Sequence, residues 1–286
     1  MLVLRRFLDL VALLVFLRAR FGHRAVHHGL VIHRFNLLVC HVAAVGQPLL
    51  RHLAAALLDL VDIVHFAEAG PVAPDALVDI AFIEGSVSTP DDRERIVRIR
   101  SNATTLVTIG ACATAGGVQA LRGLANAREW VAAVYASPAH IASLDTSTPI
   151  AQHVKVDLEL WGCPVSGRQV QGALRALLWG VVPPEEEEKV CLECKRRAVV
   201  CVMVARNMPC MGPVTRTGCG ALCPAFGRDC YACQGPAENP NTGALSRRLA
   251  GIGLLPADVA RRFLFINNGA PRFRAAGLAA QDRDHG

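Results

Sequence analysis

The sequence predicts an α/β fold, with a doubly wound parallel sheet followed by a small cysteine-rich domain. Three observations point to it. Hydrophobic residues make up 52% of the 286 residues and aromatic residues only 5%, which is typical of an interior built from Ala, Val and Leu. Short apolar strand candidates alternate with helix candidates, and one strand runs directly into a glycine-bearing turn. Eight of the eleven cysteines lie between Cys191 and Cys233.

Residues 1–57 fit this plan least well. Asp9 is their only acidic residue, against seven arginines and six histidines. The apolar segment 7–17 is too short to span a bilayer, and no clear cleavage site follows Arg5-Arg6, so we expect neither a transmembrane helix nor an export signal. We interpret the region as an out-of-frame translation of a GC-rich gene or as a divergent first strand, and expect no metal site at its histidines.

Three buried strands and a helix are predicted between residues 61 and 109. The strand candidates are Val61–Phe66, Val78–Gly85 and Thr104–Ile109. They are largely apolar or β-branched, as strands buried in a parallel sheet usually are. A helix is predicted over 91–100, because Thr89 precedes Pro90 and acidic residues fill the first turn.

The third strand leads into the turn 110–117, which opens a helix. Ligands of doubly wound sheets bind beyond the carboxyl ends of the strands, so Cys112 lies at the edge where function is expected. The glycine spacing of this turn matches neither the dinucleotide fingerprint nor the P-loop, and we therefore reject nucleotide binding.

A second strand, turn and helix follow the stretch 124–150, which is predicted as a helix and a loop. The strand is predicted over Val154–Leu160 and ends in Gly162-Cys163-Pro164. The next helix is predicted over Ser166–Gly180, with Ser166 as its N-cap. Residues 181–188, with four consecutive glutamates, form the natural domain boundary and a solvated linker.

The spacing of the eight C-terminal cysteines is compatible with three kinds of site. Disulfide frameworks belong to small secreted domains. Structural zinc suits the two C-x-x-C pairs, Cys191/Cys194 and Cys230/Cys233. Two 4Fe–4S clusters would each take four cysteines. After Cys233 we expect two short helices, over 242–251 and 256–265, then a frayed tail from residue 279 and no membrane anchor.

The cysteine-rich segment resembles the C-terminal cluster region of nickel–iron hydrogenase small subunits. The resemblance is to the cytoplasmic sulfhydrogenase and nicotinamide-linked types, within the superfamily of the 20 kDa subunit of NADH:ubiquinone oxidoreductase. Cys210-Met211-Gly212-Pro213 matches the C-x-G-P step that ends the distal ligand set of the family. Cys219 matches the first ligand of the medial cluster, and Cys230 and Cys233 match the C-x-x-C that closes it.

This resemblance implies the fold and the ligand sets. It implies a flavodoxin-like sheet that carries the proximal cluster, with Cys112 and Cys163 as ligands and Cys40 as a further candidate. The distal 4Fe–4S cluster would be held by Cys191, Cys194, Cys201 and Cys210, and the medial one by Cys219, Cys223, Cys230 and Cys233. Cys191 and Cys223 stand where periplasmic relatives have a histidine and a proline, which implies two all-cysteine 4Fe–4S clusters.

The resemblance also implies the function, an electron-transfer small subunit that relays electrons between a nickel–iron site on the large subunit and a redox partner. We expect a large subunit and further flavin- or nicotinamide-binding subunits as partners, and no nickel, flavin or nucleotide and no catalytic residue on this chain. The scattered charges, +6 in sum, favour no nucleic-acid contact. Reduced thiols favour the cytoplasm.

Two alternatives stay open at this point: a ferredoxin-like carrier, and a complex-I-like cluster subunit, each without hydrogenase activity. A structural zinc protein is a third. The expected domains are 1–57, an atypical N-terminal region; 58–182, the flavodoxin-like unit; 189–236, the two-cluster unit; and 237–286, C-terminal helices and tail.

Overall fold

A five-stranded parallel sheet forms the first half of the molecule. The computed structural model describes residues 35–41, 61–66, 73–183 and 188–284. The strands are β1 (Phe35–His41), β2 (Val61–Phe66), β3 (Val78–Glu84), β4 (Ala103–Ile109) and β5 (Leu158–Leu160). Their spatial order is β2-β1-β3-β4-β5, and every neighbouring pair is parallel. This is the flavodoxin-like order of a doubly wound sheet, so the predicted fold class is confirmed.

The strand β1 lies within the atypical N-terminal region 1–57. It pairs with β2 on one side and with β3 on the other, so its backbone completes the sheet. Both interpretations of the region 1–57 stay predictions. The remaining residues of 1–57 lie outside the described residues, as do the linker positions 184–187. The proposed domain boundaries stay predictions.

The fifth strand is shorter than predicted, with 158–160 in place of 154–160. The reason is Asp157, whose carboxylate accepts a hydrogen bond from the backbone N–H of Leu106 at 2.9 Å. The backbone N–H of Asp157 in turn donates to the carbonyl oxygen of Leu106, also at 2.9 Å. The Asp157 carboxylate therefore accepts the hydrogen bond that a backbone carbonyl would accept in a regular sheet. Regular pairing of β5 with β4 begins at Leu158.

Helices cover both faces of the sheet. Helices α1 (Pro90–Asn102) and α4 (Gly167–Leu178) lie on the two faces, α2 (Gly110–Ala115) directly follows β4, and α3 (Ala127–Val134) has no buried residue. On one face Phe82 of β3 packs in a buried cluster with Leu174 of α4, and on the other Ile83 packs with Ile96 of α1. This alternation follows from the two-residue period of a strand. Both long helices start at capping boxes, as their sequences predict.

The second half consists of short helices around one apolar core. They are α5 (Val190–Arg196), α6 (Val202–Arg206), α7 (Leu222–Ala225), α8 (Thr242–Gly251), α9 (Pro256–Leu264) and α10 (Pro271–Gln281). The core joins Met211 and Cys230 with Leu249, Phe263 and Phe273. The cysteine-rich segment and the C-terminal helices therefore bury their apolar side chains together.

The end of the chain corrects one expectation. Residues 279–284 are helical, in α10 and the 3₁₀ turn Asp282–Asp284, and not a frayed tail. Helix α10 is held because Phe273 is fully buried and meets Phe263 edge to face, with ring centroids 5.8 Å apart. Within the described ranges, none of the helices combines the length and the apolar composition needed to cross a bilayer.

Candidate metal centre

The carboxyl ends of β1, β4 and β5 bring three cysteines to one edge of the sheet. Cys40 is the last residue but one of β1 and is paired in register with Ile83 of β3. Cys112 lies in α2, directly after β4, and Cys163 follows β5. Because parallel strands end at the same edge, the fold places these three predicted residues on one side of the sheet.

The turns that carry Cys112 and Cys163 are bonded to each other. The backbone N–H of Ala111 donates to the carbonyl oxygen of Gly162 at 2.8 Å. Gly117 lies against the Cys112 thiol, since a Cβ added to it would come within 2.5 Å of Sγ. Its φ of +61° is also one that glycine adopts most easily. Close approach and backbone conformation together require glycine beside this thiol.

The acidic side chain of Glu84 is a further member of this site. Burial raises the pKa of the Cys112 thiol to about 11, and the charges of Cys163 and Glu84 add to the effect. Burial and the charge of Glu84 also raise the pKa of Cys163, although this residue is exposed on the chain. Sequence reasoning missed Glu84, whose signal was its position as the last residue of β3.

The first four cysteines of the C-terminal segment are gathered around α5 and α6. Cys191 and Cys194 are three residues apart on α5 and so share a face, and Cys201 is the N-cap of α6. Burial raises the pKa of Cys194 to about 11, with added contributions from Cys191, Cys210 and Cys201. Gly212 lies beside two of the thiols, since a Cβ there would be in ordinary van der Waals contact with Sγ of Cys210 at 3.4 Å and with that of Cys191 at 3.6 Å.

The last four cysteines form a second group next to the first. Burial raises the pKa of Cys233 to about 12, and Cys219 and Cys223 raise it further. Burial also raises the pKa of Cys230 well above its ordinary value, with contributions from Cys210 and Cys233. The backbone N–H of Cys230 donates to Sγ of Cys210 at 3.3 Å. The backbone of the second group is thus hydrogen-bonded to a thiol of the first.

The thiols have the surroundings that iron–sulfur ligands require. All ten cysteines in the described part of the chain whose side chains are placed are free. Backbone N–H groups point at their sulfurs, as in the contact from Ala232 to Sγ of Cys230 at 3.4 Å, and such hydrogen bonds tune cluster potentials. Together with the space left by Gly117, these free thiols and their N–H donors fit 4Fe–4S clusters. Within the described residues, no three His, Cys, Asp or Glu side chains converge on one metal-ion position.

Glu193 connects the two groups of thiols. It lies between Cys191 and Cys194 in the sequence and is only 7% exposed. Its carboxylate accepts hydrogen bonds from three backbone N–H groups of the loop around Cys219, those of Gly218, Gly220 and Ala221, each at 3.0 Å. The sequence held a signal that we did not use, an acidic residue inside a C-x-x-C pair.

The segment 267–269 links the sheet edge to the second group of thiols. Asn268 is fully buried and donates from Nδ2 to the carbonyl oxygen of Gly117 at 3.2 Å. Its neighbour Asn267 donates in the same way to Ala232, beside Cys233, at 2.6 Å. No feature of the sequence predicted this link.

Comparison with known proteins identifies the family. Residues 41–177 match the family described as NADH ubiquinone oxidoreductase, 20 Kd subunit. Sulfhydrogenase 2 subunit delta of Pyrococcus furiosus is 32% identical over 228 residues, which are 80% of this chain and 95% of the relative. The chain belongs to the family of nickel–iron hydrogenase small subunits. It is therefore an oxidoreductase component, the electron-transfer subunit of a multi-subunit complex.

Further comparisons agree with this assignment. The small subunit is 28% identical to one chain of the F420-non-reducing hydrogenase of Methanocaldococcus jannaschii over 189 residues, 56% of this chain and 66% of the relative. The solved structure of the actinobacterial-type NiFe-hydrogenase from Ralstonia eutropha H16 matches with a TM-score of 0.55 and 15% identity, covering 91% of this chain and 93% of that one. This match to a solved structure establishes the fold.

Proposed function

We propose that this small subunit relays electrons through two all-cysteine 4Fe–4S clusters and a proximal one at the sheet edge. The distal set would be Cys191, Cys194, Cys201 and Cys210, and the medial set Cys219, Cys223, Cys230 and Cys233. When bound, each cluster supplies a one-electron site whose potential depends on ligands, hydrogen bonds and burial. The chain's own cysteines would hold these clusters in place.

The proposal is supported by the closeness of thiols within each predicted set, since Cys210 and Cys201 act on the pKa of Cys191, and Cys219 and Cys223 act on that of Cys233. The proposed sets span residues 191 to 210 and 219 to 233. The bond from the N–H of Cys230 to the sulfur of Cys210 holds the two sets next to each other. Close spacing of this kind is what electron transfer from one site to the next requires.

The proximal site is the least complete. We take Cys112 and Cys163 as two of its ligands, because the hydrogen bond from the backbone N–H of Ala111 to the carbonyl oxygen of Gly162 holds their turns together at 2.8 Å. Cys40 is a third candidate, because its backbone position on β1 is at the same edge of the sheet. The cluster at this site would exchange electrons with the nickel–iron site, since the large subunit carries that site in this family.

The surface beside the distal set has the composition of a docking site for a redox partner. Val200, Val204 and Phe226 are 72%, 79% and 79% exposed. Between residues 188 and 233 there are seven Lys and Arg residues against three Asp and Glu, an excess of four positive charges. An apolar patch with a basic surround suits a partner with an acidic face. We propose that electrons pass between the small subunit and its redox partner here.

We further propose that the subunit works in the cytoplasm, because cysteine-ligated clusters are assembled from reduced thiols. The alternatives without hydrogenase activity find no support in the comparisons, since the relatives described above are hydrogenase subunits. Iron in the isolated protein would support the cluster proposal, whereas zinc would indicate a structural zinc protein.

The decisive measurement is iron per small subunit in the complex isolated anaerobically from its native host. We expect about twelve iron atoms, four for each of three clusters. A count of about eight would contradict the proximal site, and zinc in place of iron would contradict the whole proposal. The variants C191A, C219A and C112A should each lose about four iron atoms from a different site. C40A should lose the same four as C112A if Cys40 is a ligand.

A further inference from the structure

We propose that Glu193 positions Cys219 and lowers the reduction potential of the medial cluster through its charge. The inference rests on the proposed function, because it takes Cys219 as a medial ligand. Glu193 belongs to the helix that carries two distal ligands, yet its carboxylate serves the medial loop. It is a positioning residue, since it acts on the cluster through Cys219.

The contacts show how Glu193 shapes this loop. Oε1 accepts the N–H groups of Gly218 and Gly220, and Oε2 accepts the N–H of Ala221, all at 3.0 Å. These three groups surround Cys219, which thereby sits at the centre of a loop wrapped around one carboxylate. On the outer side, the guanidinium of Arg197 donates to the carbonyl oxygen of Gly220. Helix α5 and the residue after it thus hold opposite sides of the loop.

The same contacts place a negative charge beside the Cys219 sulfur. Oε2 of Glu193 lies 3.8 Å from Sγ of Cys219. An ionised carboxylate is an acceptor only, which suits its three donors. Negative charge near a cluster disfavours the added electron, and N–H donors to its sulfurs favour it. Glu193 therefore lowers the potential in two ways. Its carboxylate adds negative charge, and it accepts from the N–H of Ala221, which also faces the Cys219 sulfur.

The variant E193Q tests the charge while it keeps the shape. Its amide oxygen can still accept from Gly218 and Gly220, whereas its NH₂ group would face the Cys219 sulfur as a donor and could no longer accept from Ala221. The N–H of Ala221 then keeps the Cys219 sulfur as its acceptor. Loss of a negative charge and gain of a donor both raise the reduction potential of the medial cluster. We expect full iron content and a positive shift of one cluster potential only. The variant E193A leaves three N–H groups without their acceptor, and we expect loss of about four iron atoms.

The experiment is a redox titration followed by electron paramagnetic resonance, with iron analysis, on the anaerobically isolated complex. The control is E188Q, which makes the same chemical change at an exposed side chain nearby and should leave all potentials unchanged. The variant C219A identifies the medial signal, because it should remove the signal that E193Q shifts. The proposal fails if E193Q shifts no potential more than E188Q does, or if E193A keeps both its iron and its signals. Absence of iron in the parent complex would instead refute the proposed function.

Discussion

At the scale of single residues, the thiols depend on the backbone beside them. Gly117 lies so close to Sγ of Cys112 that any side chain would occupy the space of the thiol. Glu193 acts differently, because it holds the loop around Cys219 through three backbone N–H groups. In both cases the residue that matters is not itself a candidate ligand. Its effect on the site comes from where it puts the neighbouring backbone.

The variant G117A should therefore displace the Cys112 thiol. The added methyl would lie 2.5 Å from Sγ, and a φ of +61° would strain an alanine. We expect loss of about four iron atoms, with the distal and medial signals kept. Iron analysis of the isolated complex measures this.

The matched control is G172A, in the middle of α4, where an added Cβ meets no atom within 4 Å. This change should keep all the iron and stabilise the chain by about 0.5–1 kcal/mol, because alanine is the better helix former. Equal iron content in G117A and G172A would refute the role of Gly117.

At the scale of elements, side chains decide where regular structure begins. Asp157 starts β5 by accepting hydrogen bonds from the backbone N–H of Leu106 and the guanidinium of Arg100. Burial alone would raise the pKa of Asp157, but the bonds from Leu106 and Arg100 outweigh it and hold that pKa below its ordinary value. Because β5 leads directly to Cys163, this carboxylate supports the strand that presents a proposed ligand.

The variant D157N should weaken this start of β5. A carboxyl whose pKa is lowered by folding contributes stability above its unfolded pKa of about 3.9, and loses it as the pH falls through the folded value. At neutral pH we expect a loss of about 1 kcal/mol, discounted for the partly exposed pair. Amide hydrogen exchange of residues 104–109 should be faster in D157N at pH 7, and the difference should shrink as the pH falls below about 4.

The control for this prediction is D145N. Asp145 also has a lowered pKa, because of the hydrogen bond from Arg128 and the charge of that residue, but both side chains are exposed. Exposed pairs contribute little, so D145N should leave the exchange of residues 104–109 unchanged. The same acceleration in both variants would show that a general loss of charge, and not the bond to Leu106, is responsible.

At the scale of the whole molecule, the C-terminal helices are part of the cysteine-rich unit. Phe273 of α10 is fully buried in the core that includes Met211 and Cys230. The segment before α10 also reaches the sheet edge, where the backbone N–H of Gly269 donates to the carbonyl oxygen of Ala115 at 3.1 Å. The last helix therefore supports candidate ligands that lie 40 residues or more away in the sequence.

The variant F273A should destabilise this unit by about 3–5 kcal/mol, because it removes a buried ring and leaves a cavity. We expect iron to be lost from the distal and medial sites first, since their cysteines share that core. Thermal unfolding and iron analysis of the complex measure both effects. The control L278A changes a residue of the same helix that is 39% exposed, and its effect should be much smaller. If F273A retained all of its iron, α10 would not be needed to support the cluster sites.

Much of the fold follows from local patterns in the sequence. Runs of apolar and β-branched residues predicted β2, β3 and β4, and the residues at their starts predicted α1 and α4, because strand period and capping depend on neighbours a few residues apart. The positions of Cys112 and Cys163 after two strands predicted the functional edge. The spacing from Cys191 to Cys233 carried the family resemblance. For these features, the sequence by itself was sufficient.

Tertiary structure alone decided the rest. The short β5 depends on Asp157 meeting Leu106, the contact of Glu193 with the Cys219 loop joins residues 25 to 28 positions apart, and Asn268 meets Gly117 across 151 positions. Each contact satisfies a buried polar group whose partner the local sequence does not specify. Whether such partners meet depends on how the whole chain packs, and that is why the sequence named the candidate ligands but not the residues that position them.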